Sequence, residues 1–288
     1  MIFCFGAWLS LVEHLVRDQG VGGSNPLAPT TVKSILHSSS NPNSISFLLV
    51  SNLEVNEPIT IAQNALTLAE KERLDTLRIN EIFFSIQGEG TRAGEPCVFV
   101  RLTGCGLRCT YCDTEYAFYE GSDKSLGEVF EQVRSYGCNL VELTGGEPLE
   151  QEAALVFMKM LCDEGFDVMV ETGGHISIEN VDTRVKRIMD LKTPSSAMMK
   201  RNLYDNVKYL TQHDEVKFVV GSREDYDWMK EQIEFFGLNN KVGTILVSAV
   251  HGKLPMRDLA EWILVDKLKI KLQTQFHKLI WPDIERGV

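Results

Sequence analysis

From Arg78 onward the chain alternates short β-branched and aromatic runs with amphipathic helical stretches, and this alternation constrains the fold more than any other feature. "INEIFFSIQ" (79–87) and "CVFVRLTG" (97–104) read as strands joined by a Gly-rich loop. Ser125–Gly137 carries helix signals at both ends: a capping Ser, an acidic residue three further on and a terminal Gly. Strands are predicted again at 139–148, 166–174, 187–194, 215–220, 241–252 and 269–278, with helices at 149–165, 201–210, 223–237 and 256–268. Such a series predicts βαβ units around a parallel sheet, an α/β fold. Repetition on this scale suits a closed or partial barrel, and an open doubly wound sheet reads the same way. In both, chemistry collects at the C-terminal strand ends. Here those ends carry TGGEP (144–148), ETGG (171–174), DLKTP (190–194), VKF (216–218), SAVHG (248–252) and QFHK (275–278).

Composition narrows the function. The 288 residues are 44% hydrophobic, enough for a sizeable core, and the net charge of −11 repels phosphate backbones, so a nucleic-acid partner is not expected. No apolar run reaches the roughly eighteen residues of a membrane span. Seven cysteines, an odd number in a chain too large to need staples, point to metal binding and a cytoplasmic, reducing location rather than to disulfides.

Residues 1–77 read differently from the rest. "SSSNPNS" (38–44) resembles a linker, and Glu13, His14, Arg17 and Asp18 break the opening apolar run too early for a secretory signal. Within "VGGSNPLAPT" (21–30), Gly-Ser-Asn-Pro is what the conserved arm of a tRNA gene would encode if translated. Residues 1–77 are therefore expected to be a leader outside the functional domain, either a disordered extension or the product of a misplaced start, with residues 62–76 able to form one short helix. The domain proper is expected at 78–288. No Met occurs between Met1 and Met158, so a later start needs a non-AUG codon. A peptide from residues 20–60 in a mass spectrum of the native protein excludes the misplaced start.

The densest chemistry is "TGCGLRCTYCDT" (103–114), where Cys105, Cys109 and Cys112 follow a predicted strand. Structural zinc wants four tetrahedral ligands, and the nearest candidates for a fourth, Cys97, Cys138 and His175, lie elsewhere in the chain. A lone Cys in an apolar strand usually acts as a small hydrophobe. An iron–sulfur cubane is the alternative. Three thiolates leave one of its irons open, and the amino and carboxylate groups of S-adenosylmethionine can chelate there.

CGLRCTYC resembles the CxxxCxxC signature of the radical S-adenosylmethionine superfamily, and TGGEP resembles its Gly-Gly-Glu turn. The stretch "INEIFFSIQGEGTRAGEPCVFVRLTGC", with "CDTEYAF", "TGGEPL" and the terminal "QFHKLIWPDIERGV", is similar to the 7-carboxy-7-deazaguanine synthase family over about residues 78–288. That resemblance implies a partial or modified (β/α)6 barrel. It implies a homodimeric lyase of queuosine and 7-deazapurine biosynthesis, which converts 6-carboxy-5,6,7,8-tetrahydropterin to 7-carboxy-7-deazaguanine with loss of ammonia. A 4Fe-4S cluster, catalytically used S-adenosylmethionine and Mg²⁺ are the implied cofactors. A flavodoxin-like or ferredoxin-like protein is the implied electron donor.

Site residues follow by the same resemblance. Cys105, Cys109 and Cys112 hold the cluster, and Thr114 holds Mg²⁺. Substrate is expected against Ile86, Gln87, Gly88, Glu89, Arg101, Thr144 and His277. The cofactor is expected against Tyr111, Cys112, Asp113, Gly146, Glu147, Glu171, Asp190, Lys192 and Ser248. The residue types suit these tasks. Gln87 offers a donor and an acceptor, Glu89 accepts from ring N–H groups, and Arg101 can grip a carboxylate with two hydrogen bonds. Mg²⁺ recruits water and substrate oxygens, so one protein ligand suffices. His277 contacts substrate or caps the last strand. Ala249 stands where the family pattern has Pro, and Gly173 where Ser or Asn is common, so the adenosine contacts there depart from the pattern. Two rivals share parts of this reading. A glycyl-radical activase shares the cysteines and the Gly-Gly-Glu turn but has no reason to carry QGEG, Arg101 and CDT together. A zinc interaction module predicts a colourless protein without iron.

Overall fold

In the computed structural model, residues 68–288 are described, and the readings made for residues 1–67 lie outside them. The first elements are α1 (Leu68–Asp75), β1 (Thr76–Ile86) and β2 (Pro96–Leu102). They are followed by β3 (Ser122–Ser125), α2 (Leu126–Ser135), β4 (Leu140–Gly145), α3 (Glu152–Asp163), β5 (Asp167–Thr172) and β6 (Lys186–Asp190). The chain ends with β7 (Glu215–Val220), α4 (Arg223–Phe235), β8 (Thr244–Ala249), α5 (Met256–Asp266), β9 (Lys271–Leu272) and α6 (Phe276–Ile280). The sequence boundary at residue 78 falls inside β1, whose Leu77 is fully buried and pairs with Lys124.

One nine-stranded sheet runs β3-β1-β2-β4-β5-β6-β7-β8-β9. β1 pairs antiparallel with β2 and β3, and every pairing from β2–β4 to β8–β9 is parallel. Strands β3 and β9 stay at the edges, so the sheet is open and the fold is a partial (β/α) barrel.

Period-2 alternation sorts the side chains. Val98, Val100, Val141, Leu143, Val168, Val170, Val216 and Phe218 are buried on one face, in the helix-covered layer with Phe157, Leu161, Tyr226 and Met229. The opposite face changes character along each strand. Its lower part is an apolar plug of Phe83, Cys97, Phe99, Leu140, Met169, Ile188 and Leu246, with Phe83 and Phe99 stacked at 4.9 Å. Two residues further along the same strands come Arg101, Glu142, Glu171, Asp190 and Ser248, all lining one cavity. The plug excludes water from below, and the polar ends open above it.

Two expected elements differ. Residues 201–210 form only a short 3-10 turn, Tyr204–Tyr209. The side chains of Asn202 and Asn206 bond to loop backbone instead, at Lys192 and at Ile176 and Ile178, and so hold the chain out of a helix. The predicted last strand shrinks to Lys271–Leu272, because Gln273 and Gln275 bond to the first loop and the chain turns into α6. His277 therefore sits in the first turn of a helix and caps no strand.

Candidate active site

The cavity at the strand ends has a volume of about 1140 Å³. Every site residue expected from the sequence lines it except Glu147. β1 and its loop bring Ile86, Gln87, Gly88 and Glu89, and β2 brings Arg101. The β2 loop brings Cys105, Cys109, Tyr111, Cys112, Asp113 and Thr114. Thr144 and Gly146 close β4, and Glu171, Asp190, Lys192 and Ser248 arrive from β5, β6 and β8. His277 and the terminal Val288 come from the tail.

The cysteine loop is tied to its surroundings through the backbone. Cys112 N donates to Cys109 O at 3.2 Å, and Thr110 N donates to Ser196 O at 3.1 Å. Arg108 donates to the Cys105 and Leu107 carbonyls and lies over Phe118, 4.2 Å from the ring centroid. The turn after β4 packs directly beneath: a Cβ on Gly146 would stand 1.8 Å from Gly104 O, so only glycine fits. Burial raises all three thiols, Cys105 to about 11, so loading iron must displace their protons. The cysteines are free, and among the described residues no three His, Cys, Asp or Glu side chains converge on a single ion. Tyr111 OH and Asp190 Oδ1, both buried, have no hydrogen-bond partner among the described residues, which suits a polar ligand beside the loop.

Glu147 lies under the cavity. It is fully buried and accepts from Leu149 N, Thr172 Oγ1 and Gly173 N at 2.8–3.1 Å. Its carboxylate fastens two strand-end turns together, and Gly146 presents the turn to the cavity. Gln87 also differs. Its Nε2 donates to Glu142 and its Oε1 accepts from Glu89 N at 3.1 Å, so one donor and one acceptor are already engaged.

Several strand-end residues have partners that the sequence does not indicate. Lys217 bonds Glu171 and, at 3.1 Å, Glu89. Burial alone would lower this ammonium, but the Glu171, Glu89 and Asp190 carboxylates hold it well above its ordinary value. Burial and then the Glu171 charge push the Glu142 carboxyl well up. Gln275 Nε2 donates to Glu89 Oε1 at 3.0 Å and to Asp113 Oδ2 at 2.9 Å, and Lys278 Nζ reaches the same Asp113 oxygen at 2.7 Å. Burial favours the neutral form of Asp113, yet Lys278 and these hydrogen bonds hold its carboxyl below the usual range. These partners come from distant parts of the chain, and only the fold joins them.

A model of the Radical SAM superfamily matches residues 99–235. The chain is 44% identical over 215 residues to the 7-carboxy-7-deazaguanine synthase of Chlorobaculum tepidum, which covers 74% of this chain and 97% of that protein. It is 42% identical over 226 residues to the enzyme of the same name from Koribacter versatilis, covering 74% of this chain and all of that one. In fold it is similar to the crystal structure of QueE from Escherichia coli, with a TM-score of 0.58 at 21% identity, covering 69% of this chain and 94% of that one. The cofactors that come with the superfamily are a 4Fe-4S cluster and S-adenosylmethionine, and three free thiols above a glycine turn fit them. The chain belongs to the 7-carboxy-7-deazaguanine synthase family of radical S-adenosylmethionine enzymes.

Proposed function

We propose that this chain converts 6-carboxy-5,6,7,8-tetrahydropterin to 7-carboxy-7-deazaguanine, contracting the ring with loss of ammonia, and that Cys105, Cys109 and Cys112 hold the cluster for it. The observation that carries the reading is that the three-cysteine loop and the QGEG loop with Arg101 line the same cavity. Its volume of about 1140 Å³ has room for a nucleoside-sized cofactor beside a pterin. When bound, the reduced cluster supplies the electron that cleaves S-adenosylmethionine and begins the radical chemistry.

The protein's own groups bind and orient. Arg101 is fixed through Nε by Glu81 Oε1 at 2.7 Å, and its terminal nitrogens pair with the substrate carboxylate. Glu89, held by Gln273, Gln275 and Lys217, accepts from the pterin N–H edge. Thr144 and His277 complete the substrate contacts. Burial pulls the His277 imidazole below its ordinary value, so at neutral pH the ring offers one donor and one acceptor. On the cofactor side Tyr111, Asp190, Lys192, Glu171 and Ser248 surround S-adenosylmethionine. Thr114, whose hydroxyl donates to Asp113 Oδ1 at 3.0 Å, keeps lone pairs for Mg²⁺, with water and substrate oxygens filling the remaining positions.

The enzyme acts as a cytoplasmic homodimer in this reading. Its reductant is a flavodoxin-like or ferredoxin-like protein, and the exposed Arg108 beside the cysteine loop suits an acidic donor. The test is anaerobic turnover with the tetrahydropterin, S-adenosylmethionine, Mg²⁺ and a reductant. Formation of 7-carboxy-7-deazaguanine with return of S-adenosylmethionine is expected. No product from protein with a reducible cluster overturns the assignment.

A further inference from the structure

We propose that Glu150 and His175 are positioning residues that clamp the first cluster cysteine, a role that rests on Cys105 being a cluster ligand. Both neighbours of Cys105 are held by one short stretch after β4. Gly104 O accepts from Glu147 N at 2.7 Å, and Gly106 N donates to Glu150 Oε1 at 2.6 Å. The Gly106 contact is close: a Cβ there would stand 2.6 Å from Glu150 Oε1 and 3.4 Å from His175 Nε2.

His175 lies between the two carboxylates of that stretch and bonds to Glu150. Its Nε2 is 3.0 Å from Glu150 Oε1, and its Nδ1 is 3.5 Å from Glu147 Oε2. The side chain is 2% exposed and does not line the cavity, and Nδ1 makes no hydrogen bond among the described residues. Nothing in the binding of substrate or cofactor explains a buried imidazole here. Its position does. Glu150 is 30% exposed and carries a side chain with three rotatable bonds, and water would otherwise compete for it. The imidazole fixes the carboxylate that fixes Gly106 N, and so limits the motion that lets Cys105 release its iron. Losing a hydrogen bond to a charged group is expected to speed iron release about tenfold or more.

The test measures iron transfer to a chelator from anaerobically reconstituted enzyme. His175→Ala and Glu150→Leu are each expected to release iron about tenfold faster than wild type, and the double variant no faster than either single one. His175→Gln, whose amide stands where Nε2 stood, is expected to stay within about twofold of wild type, and His175→Asn, which reproduces only Nδ1, is not. Wild-type rates in His175→Ala and Glu150→Leu, multiplied effects in the double variant, or rescue by Asn instead of Gln each overturn the clamp. A wild-type protein that takes up no iron overturns the cluster reading as well, so the two failures are distinguishable.

Discussion

Arg101 Nε donates to Glu81 Oε1 across 2.7 Å, and this leaves the two terminal guanidinium nitrogens for a ligand. Tyr116 OH holds the same Glu81 oxygen at 3.0 Å, and the guanidinium lies 5.6 Å from the Phe83 ring centroid. A lysine cannot reproduce that fork. Arg101→Lys is therefore expected to raise KM for the tetrahydropterin roughly tenfold or more, with a smaller effect on kcat. Steady-state kinetics decide it, and an unchanged KM contradicts carboxylate binding at Arg101.

Gln275 joins the Glu89 loop to the Asp113 loop through one amide nitrogen. Gln275→Glu places a third carboxylate between two others, and like charges at that distance repel. Its kcat/KM is expected to fall about tenfold or more and further than that of Gln275→Ala. Equal losses in the two variants would show that the charge arrangement is irrelevant.

Glu142 is 3% exposed and sits beside Glu171, with Gln87 donating to it. Burial and the Glu171 charge raise its carboxyl well above the ordinary value of 4.5. A carboxyl raised by folding gives stability that is fully present below the ordinary value and is lost as pH rises through the folded one. Each tenfold displacement costs about 1.4 kcal/mol once the group is ionised. Glu142→Gln keeps an acceptor for Gln87 and never ionises. Its thermal midpoint is expected to exceed that of wild type near pH ~8 and to converge with it toward pH ~4.5. A lower midpoint for the variant near pH ~8 rejects the argument.

Away from the cavity, Arg187 and Asp214 form a buried pair, with side chains 4% and 0% exposed. Asp214 also accepts from Arg187 N and from the amide and hydroxyl of Thr211. Asp214→Ala leaves a buried guanidinium without its counter-ion, and a loss of about 3–5 kcal/mol is expected in urea denaturation. A loss below about 1 kcal/mol would mean that water replaces the carboxylate.

The legible parts of the site were contiguous. CGLRCTYCDT and TGGEP each concentrate one task in a few neighbouring residues, and the alternation of apolar runs places both at strand ends. What stayed hidden depends on distance in the chain. Lys217 meets Glu89 across 128 positions, and Gln275 meets Asp113 across 162. Local pattern also misled where polar side chains overrode it. Asn202 and Asn206 read as ordinary helix-face residues, yet their bonds to neighbouring loops replace the helix with a 3-10 turn. "KIKLQTQFHK" alternates like a strand, but its glutamines serve the Glu89 loop, so only two residues pair with β8. The burial of Glu147 beneath the cavity was hidden too, because periodicity cannot tell a side chain above a turn from one beneath it.

Every proposed step depends on three thiolates that leave one iron of a cubane open. The most direct measurement is iron content and the electron paramagnetic resonance of the reduced protein, with and without S-adenosylmethionine, for wild type and Cys109→Ala. About four irons per chain are predicted for wild type, with a signal that changes when S-adenosylmethionine is added and that is absent from Cys109→Ala. A zinc-bound, iron-free wild type, a signal indifferent to S-adenosylmethionine, or an intact cluster in Cys109→Ala would contradict that arrangement.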